Sequence, residues 1–320
     1  MAALPKRQLG QSGIEISALG LGAWQFSGGK GLIGGYWQGL DEQTTCAIVK
    51  AAVAGGINWF DTAQAYGGGE SERNLARALL SAGIDSKDIH IATKWWPVMR
   101  TASNLTATID DRLACLSPYP IAHYIVHQPF SVSSVEKQMH AMADLMDARK
   151  IRSVGVSNFT ARAMRKAHRV LQGRGYGLAA NQVRYSMVTR GIEHNGILDA
   201  AKELGITIIA WSPLEQGLLT GRFHELDEVP DSVSWARRGL IRQTGLKKTR
   251  PVVDRMKVLA EQYGASVAQV ALNYTINVHG DTIVAIPGAS KASQVQQNLG
   301  ALQFKLDQAE IDELTALVAS

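Results

Sequence analysis

The chain has 320 residues, 46% of them hydrophobic and 19% charged, with a net charge of +5 and a pI of about 9.2. That is the balance of an ordinary soluble globular protein, at a length that α/β barrels use as one domain. No apolar run reaches ~18 residues and no charged n-region precedes an apolar stretch, so a membrane span or secretory leader is not expected and a cytoplasmic location is. The bases are scattered, with a denser stretch from Arg237 and Arg238 to Arg250. They read as a solvated surface or as a pocket for a polyanionic cofactor. Nucleic acid is not an expected partner, because no basic stripe interleaves with aromatics. Cys46 and Cys115 are the only cysteines. Both fall in amphipathic helical patterns and read as buried structural thiols, with no disulfide framework and no zinc spacing, so no metal is expected.

In chain order, Arg7 to Ile16 holds two short alternations around Gly10-Gln11-Ser12-Gly13, a hairpin placed to plug the N-terminal end of a barrel. Ile16 to Leu21 reads as the first barrel strand. A long loop from Trp24 to Leu40 carries Gly28, Gly29, Gly31, Gly34 and Gly35. Asp41 caps a helix that Gly55-Gly56 ends. The apolar run ending in Asp61 reads as a strand. Tyr66 and three glycines follow it, and Ser71 reads as the N-cap of a helix from about Glu72 to Ala82. The next strand ends in Lys94. Trp95-Trp96-Pro97 and a helix to Leu116 follow, then a strand ending in His127.

The alternation continues with a helix from Ser134 to Arg149, a strand from Ile151 to Val156, a helix from Thr160 to Leu171 and a strand from Leu178 to Val183. A helix from Ile192 to Leu204 leads to a strand from Ile206 to Trp211. A long excursion spans Glu215 to Arg250. Pro251 to Tyr263 and Val267 to Asn277 read as helices, Thr282 to Ile286 as the eighth strand and Lys291 to Gly300 as its helix. Asp307 to Val318 is a final helix outside the repeat. This is a (β/α)8 barrel with an N-terminal β-hairpin and an extra C-terminal helix, one domain over residues 1–320 with no interdomain linker. No Gly-x-Gly-x-x-Gly follows the first strand, which argues against a Rossmann domain.

Asp61, Lys94 and His127 are successively 33 residues apart, about one βα unit. On consecutive parallel strands they reach one C-terminal rim, where such barrels keep their active sites. Taken singly, Asp61 reads as a loop acid, Tyr66 as packing and His127 as a structural histidine. A lysine ending an apolar strand is harder to read as structure alone. Reducing a carbonyl needs a hydride on carbon and a proton on oxygen. A tyrosine hydroxyl with an ordinary pKa of ~10 can supply the proton, and a nearby ammonium lowers that value.

The sequence resembles the aldo-keto reductase family over nearly its whole length, from Leu19-Gly20-Leu21-Gly22 to Asn298. The resemblance rests on Asp61-Thr62-Ala63, Tyr66-Gly67, Ser71-Glu72, Ala92-Thr93-Lys94, His127, Lys150 to Phe159, Trp211-Ser212-Pro213-Leu214 and Ile286-Pro287-Gly288. The Trp211 and Ser290 regions are closer in style to the bacterial reductases and potassium-channel β subunits than to the vertebrate aldose reductases. The resemblance implies a catalytic set of Asp61, Tyr66, Lys94 and His127. It implies NADP(H) held by Trp24, Asp61, Ser157, Asn158 and Gln182 and by a Trp211 that stacks on the nicotinamide. Ser212, Pro213, Leu214, Gly217 and Arg222 would fold over the pyrophosphate, and Gly288, Ser290, Gln294, Gln297 and Asn298 would hold the adenosine end.

Gln294 stands where many members have an arginine for the 2′-phosphate. Lys291 with Arg237 or Arg238 would supply the missing charge, which favours NADP(H) over NAD(H). Trp24, Trp95 and Trp96 are expected to line a pocket for a small aldehyde or ketone, with Trp37 either joining them or belonging to the core. The expected activity is NADP(H)-dependent carbonyl reduction. The alternatives are a cofactor-binding regulatory protein of the channel β-subunit type with slow turnover, and a Schiff-base lyase using Lys94. Tyr66, Trp211, Ser157 and Asn158 argue against the lyase. The oligomeric state is left open.

Overall fold

The computed structural model describes residues 4–29, 39–231, 233, 238–239, 241–242 and 245–319. Gly31, Gly34, Gly35, Trp37 and Arg237 lie outside the described residues. Strands β1 (Lys6–Gln8) and β2 (Glu15–Ser17) pair antiparallel. Leu9, Ile14 and Ile16 turn their side chains onto Trp59, Ala122, Ala180, Ile209 and Val284, all of which face the barrel interior. The hairpin therefore closes the N-terminal end of the barrel and removes apolar surface from water. The Trp59 indole N–H donates to the Ser17 carbonyl at 2.9 Å, which ties plug to wall.

Eight parallel strands follow in chain order: β3 (Leu21–Gly22), β4 (Trp59–Asp61), β5 (His90–Trp95), β6 (Ile121–Val126), β7 (Val154–Ser157), β8 (Leu178–Arg184), β9 (Thr207–Trp211) and β10 (Ile283–Ala285). Each pairs with the next. Bridges Leu19↔Ala285 and Gly22↔Gly288 bring the first strand against the last, and the Gly20 N–H donates to the Ala285 carbonyl at 2.9 Å. The result is a (β/α)8 barrel. Its strands are buried on both faces, which is why they read as runs of Ile, Val and Ala.

Side chains alternate across each strand. On β5, Thr93 and Trp95 point outward to the helices while Lys94 points inward. Outside, the strands pack against helices such as Glu42–Ala54, through Ile48, Val49 and Ala52, and Val135–Asp147, through Met139 and Met142. Asp41, Ser134, Thr160 and Ser266 cap helices through their side chains, and Ser266 with Gln269 makes a full capping box.

Several expected boundaries shift for local reasons. The span Ile16 to Leu21 is divided between hairpin and barrel, because the Ser17 N–H donates to the Asn58 side chain and the Ser17 hydroxyl to the Leu19 carbonyl. The helix after Tyr66 runs Glu70–Ser81 and starts from Gly69, not Ser71. Ser71 is instead a fully buried cross-brace whose hydroxyl donates to the Ala23 carbonyl at 2.6 Å and meets Thr62 Oγ1 at 2.8 Å. The segment to Leu116 forms two helices, Ala102–Ala107 and Ile109–Leu116. The helix containing Pro251 begins earlier, at Leu246 and ends at Gln262. Thr249 secures that first turn by donating to the Gly245 carbonyl while contacting the His224 ring. The final helix, Gln308–Ala319, packs on it through Ile311 and Leu314. Cys46 and Cys115 are half-buried rather than buried. Among the described residues no helix is long and apolar enough to cross a membrane.

Candidate active site

The inward side chains at the strand ends converge on Lys94. Its ammonium is fully buried and donates three hydrogen bonds: to Asp61 Oδ1 at 2.5 Å, to the Thr62 carbonyl at 2.8 Å and to the Tyr66 hydroxyl oxygen at 3.3 Å. The second oxygen of Asp61 accepts from Gln182 Nε2 at 2.8 Å. The carboxylate is thus held from both sides, and its pairing offsets the cost of burying a cation. The Tyr66 oxygen accepts from Lys94, which leaves the hydroxyl's own proton for another acceptor, and Tyr66 lines the cavity. Tyr66 is positioned by the turn that follows Asp61. There Gly67 has φ of 69°, and a Cβ on it would lie 2.4 Å from the Ser27 carbonyl oxygen, so a side chain does not fit.

Aromatic rings enclose the hydroxyl. Trp24 stacks on Tyr66 with centroids 5.7 Å apart, His127 meets Tyr66 edge-on at 5.6 Å, and Trp96 meets His127 edge-on at 5.3 Å. Burial raises the Tyr66 pKa and the Lys94 cation lowers it; burial wins and the net shift is upward. The lysine was expected to bring the phenol below its ordinary value. Here it only moderates the rise, so the hydroxyl keeps its proton at neutral pH. Burial alone would lower the Lys94 pKa, but Asp61 and then Tyr66 outweigh it and the ammonium is held above its ordinary value. Burial, with Lys94 second, holds His127 well below the ordinary imidazole range, so it is neutral. His123, one inward layer deeper on β6, is pushed down to about 3 by the same two causes.

A cavity of about 650 Å³ opens above this group. One end is bounded by Trp24, Asp61, Tyr66, Trp96 and His127, and the wall continues past Ser157, Asn158, Gln182 and Trp211. It then runs under the turn Ser212–Gly217 to Gly288, Ser290, Gln294, Gln297 and Asn298. The Trp211 indole donates to Asn158 Oδ1 at 3.3 Å, and Asn158 Nδ2 donates to Gln128 at 3.2 Å. Gln294 Oε1 accepts from the Ser290 N–H at 2.7 Å and its hydroxyl at 3.1 Å, which shapes the far end.

The sequence model of the Aldo/keto reductase family matches residues 18–319. The chain belongs to the aldo/keto reductase family. It is 35% identical over 308 residues to an uncharacterized oxidoreductase of Mycobacterium tuberculosis, covering 94% of this chain and 89% of that one. It is 29% identical over 316 residues to a probable aldo-keto reductase of Glycine max, covering 96% of this chain and 87% of that protein. Among solved structures it is similar to a glycerol dehydrogenase from Gluconobacter oxydans, with a TM-score of 0.84 at 25% identity, covering 100% of this chain and 96% of that one. A thermostable aldo-keto reductase solved with the inhibitor epalrestat gives a TM-score of 0.77 at 25% identity, covering 98% and 100% of the two chains.

In this aldo/keto reductase the structure brings together the four expected catalytic residues, and the expected cofactor residues line one continuous cavity. Trp95 is a correction. It was expected in the substrate wall, but it is fully buried on the outer face of β5, donating to Asn104 Oδ1 at 3.0 Å. Strand alternation explains this, since Lys94 inward forces Trp95 outward. Arg238 pairs with Asp231 and does not line the cavity, whereas Lys291 and Arg222 do.

Gln25, Gln128 and Thr220 also line the cavity and were not foreseen. Gln25 and Thr220 lie in the short 3-10 segments Trp24–Ser27 and Glu215–Thr220 and Gln128 in a loop, all too short or irregular for periodicity to mark an inward side chain. A dinucleotide fits the donor and acceptor set. Gln25 Oε1 is buried without a hydrogen-bond partner among the described residues, and its amide sits where a Cβ on Gly288 would lie, 2.3 to 2.5 Å away, so the Gln25 amide reaches the cavity wall only beside a glycine. Ser157, Asn158 and Gln182 offer the mixed groups a carboxamide needs, and Lys291 and Arg222 bring positive charge to the outer half.

Proposed function

We propose that this aldo/keto reductase reduces small aldehydes or ketones to alcohols with NADP(H), acting as a single barrel domain in the cytoplasm. The observation that carries the reading is the Lys94 ammonium. It bridges Asp61 and the Tyr66 oxygen at the floor of a long cavity and leaves the phenol proton for another acceptor.

The nicotinamide supplies the hydride when it is bound, and the chain does the rest. Ser157, Asn158 and Gln182 would hold its carboxamide, and Trp211 would offer its indole to the ring. Trp24 and Trp96 exclude water and offer apolar walls to the substrate. Neutral His127 offers a ring nitrogen to the carbonyl oxygen and aims it at Tyr66. Tyr66 Oη gives its proton to that oxygen, and Lys94 stabilises the charge that develops on the phenol oxygen. Asp61 keeps Lys94 in place through the whole sequence. A burial-raised tyrosine pKa suits a general acid, because the donor is fully protonated at neutral pH. The retained tetrad and the cavity fit turnover and a regulatory role alike, and multiple turnover separates the two.

A panel of aromatic and aliphatic aldehydes and ketones, followed by NADPH absorbance, tests the reading. Multiple turnovers with at least one class are expected, with tighter binding of NADPH than NADH. Stoichiometric cofactor binding without turnover on any of them would point to the regulatory alternative.

A further inference from the structure

The geometry points to Glu215 as a positioning residue that fixes the cofactor-binding turn from behind; the inference rests on the cofactor reading above. Ser212, Pro213, Leu214, Gln216 and Gly217 all line the cavity, and Glu215 in their midst does not. Its side chain is buried and turns the opposite way, toward the end of β8. There its carboxylate accepts from the Arg184 guanidinium at 2.5 Å and from the Ser186 hydroxyl at 2.8 Å.

The backbone explains why such an anchor is needed. Ser212, Glu215 and Gln216 have φ of 54°, 46° and 58°, a left-handed conformation that side-chain-bearing residues adopt reluctantly. A run of such residues persists where its surroundings over-determine it. The turn's hydrogen bonds are local, among them Glu215 N–H to Ser212 O at 3.0 Å, the N–H groups of Gly217 and Leu219 to Leu214 O at 2.9 and 3.2 Å, Gln216 Nε2 to Ser212 Oγ at 2.9 Å and Thr220 Oγ1 to Gly217 O at 2.7 Å. The Glu215 pair supplies a link from the turn to a barrel strand.

The charge argument agrees. A buried carboxylate directly behind a wall that meets a pyrophosphate would repel it. Arg184 cancels that charge, so the anchor adds rigidity without an opposing field. The turn is therefore preformed in the free protein, and the cofactor does not bear the entropy of ordering it.

The test reads the free protein and the complex separately. In cofactor-free protein, amide hydrogen exchange at Gly217 and Leu219 should be slow. It should accelerate by ~10-fold or more in Glu215→Ala and in the double variant with Arg184→Met, which leaves no unpaired guanidinium. In the same variants the NADPH dissociation constant from tryptophan quenching should rise by ~10-fold, while kcat at saturating cofactor stays within ~2-fold. Glu215→Gln, whose amide oxygen can accept from Arg184 while its amide nitrogen donates to the Ser186 hydroxyl, should recover much of the affinity. Glu215→Gly relieves the φ strain but lacks the pair, and should behave like Glu215→Ala. Unchanged exchange, or a dissociation constant unchanged in Glu215→Ala, would overturn the proposal. Affinity restored by Glu215→Gly would assign the effect to strain and also overturn it. If wild type binds neither NADPH nor NADH, the functional reading fails, and the exchange result still decides whether Glu215 fixes the turn.

Discussion

Adjacent residues of one strand, Thr93 and Lys94 of β5, serve two buried ion pairs on opposite faces of the barrel wall. Inside, Lys94 pairs with Asp61, whose second oxygen takes Gln182. Outside, Glu72 accepts from Thr93 on one oxygen and from Arg112 on the other, sealed between the strand and the helices Glu70–Ser81 and Ile109–Leu116. Both pairs are buried. Burial raises the Glu72 pKa, partly countered by Arg112, and burial likewise dominates Tyr66. What differs is access. The inner cation shares its third hydrogen bond with a phenol that faces a cavity, while neither Glu72 nor Arg112 lines that cavity. A perturbed pKa therefore does not distinguish chemistry from scaffolding here, and the opening does.

The contrast is broken most severely at Lys94. Lys94→Met keeps an apolar stem of similar length but removes the cation beside Tyr66. Turnover should fall by ~10²–10⁴-fold, as for other losses at a positioned proton donor, while circular dichroism still reports a folded barrel. Steady-state kinetics on purified folded protein checks it, and a fall under threefold would count against the inner pair.

Arg112→Met sharpens the comparison from the other side. It strands a buried carboxylate and should cost about 3–5 kcal/mol of stability in urea melts. The fraction that remains folded should keep its kcat. Glu72→Gln leaves the Arg112 guanidinium without its anion, but the amide oxygen still accepts from it, so the cost should be smaller. A collapse of kcat in folded Arg112→Met would mean that the outer face also serves chemistry.

A third effect is smaller and concerns pH. His123 lies under the inner pair with its Nδ1 on Ser153 Oγ at 2.8 Å and its Nε2 without a hydrogen-bond partner among the described residues. Its folded pKa is lowered to about 3, against ~6.5 in an unfolded chain. The unfolded state therefore binds more protons between those values. The contribution is fully present above ~6.5 and is lost as pH falls toward 3. The loss should be on the order of a few kcal/mol. His123→Gln removes the titration, so its urea midpoint should change less than that of wild type between pH 7 and pH 5. Parallel pH dependences would contradict it.

The smallest expected effect is at the outer end of the cavity. Lys291→Ala should weaken NADPH binding by ~5-fold and NADH binding hardly at all, with the difference shrinking at high salt. Titration by tryptophan quenching reads it, and equal losses for both cofactors would remove Lys291 from the 2′-phosphate.

How much of this was legible follows the same inner and outer logic. The barrel was readable because buried parallel strands are apolar runs separated by capped helices. Asp61, Lys94 and His127 stood out because each ends such a run with a charged or titratable group. Trp95 was misplaced because two adjacent tryptophans look alike in composition; alternation from Lys94 carried the signal that separates them. Ser71 was misread as a cap because its spacing fits one, and only the fold brings the Ala23 carbonyl to its hydroxyl. Gln25 lies in a single 3-10 turn and Gln128 in a loop, and the direction of both depends on neighbours distant in sequence. The net rise in the Tyr66 pKa could not be read either, because it depends on how completely Trp24, Trp96 and His127 exclude water.

The most direct measurement is Tyr66→Phe, with cofactor affinity and turnover determined on the same preparation. The ring and its stacking on Trp24 remain and the transferable proton is lost. NADPH affinity should stay within ~2-fold of wild type and carbonyl reduction should fall by ~10²–10⁴-fold. Near-full reduction with unchanged cofactor affinity would contradict the account, and the role of proton donor would pass to His127.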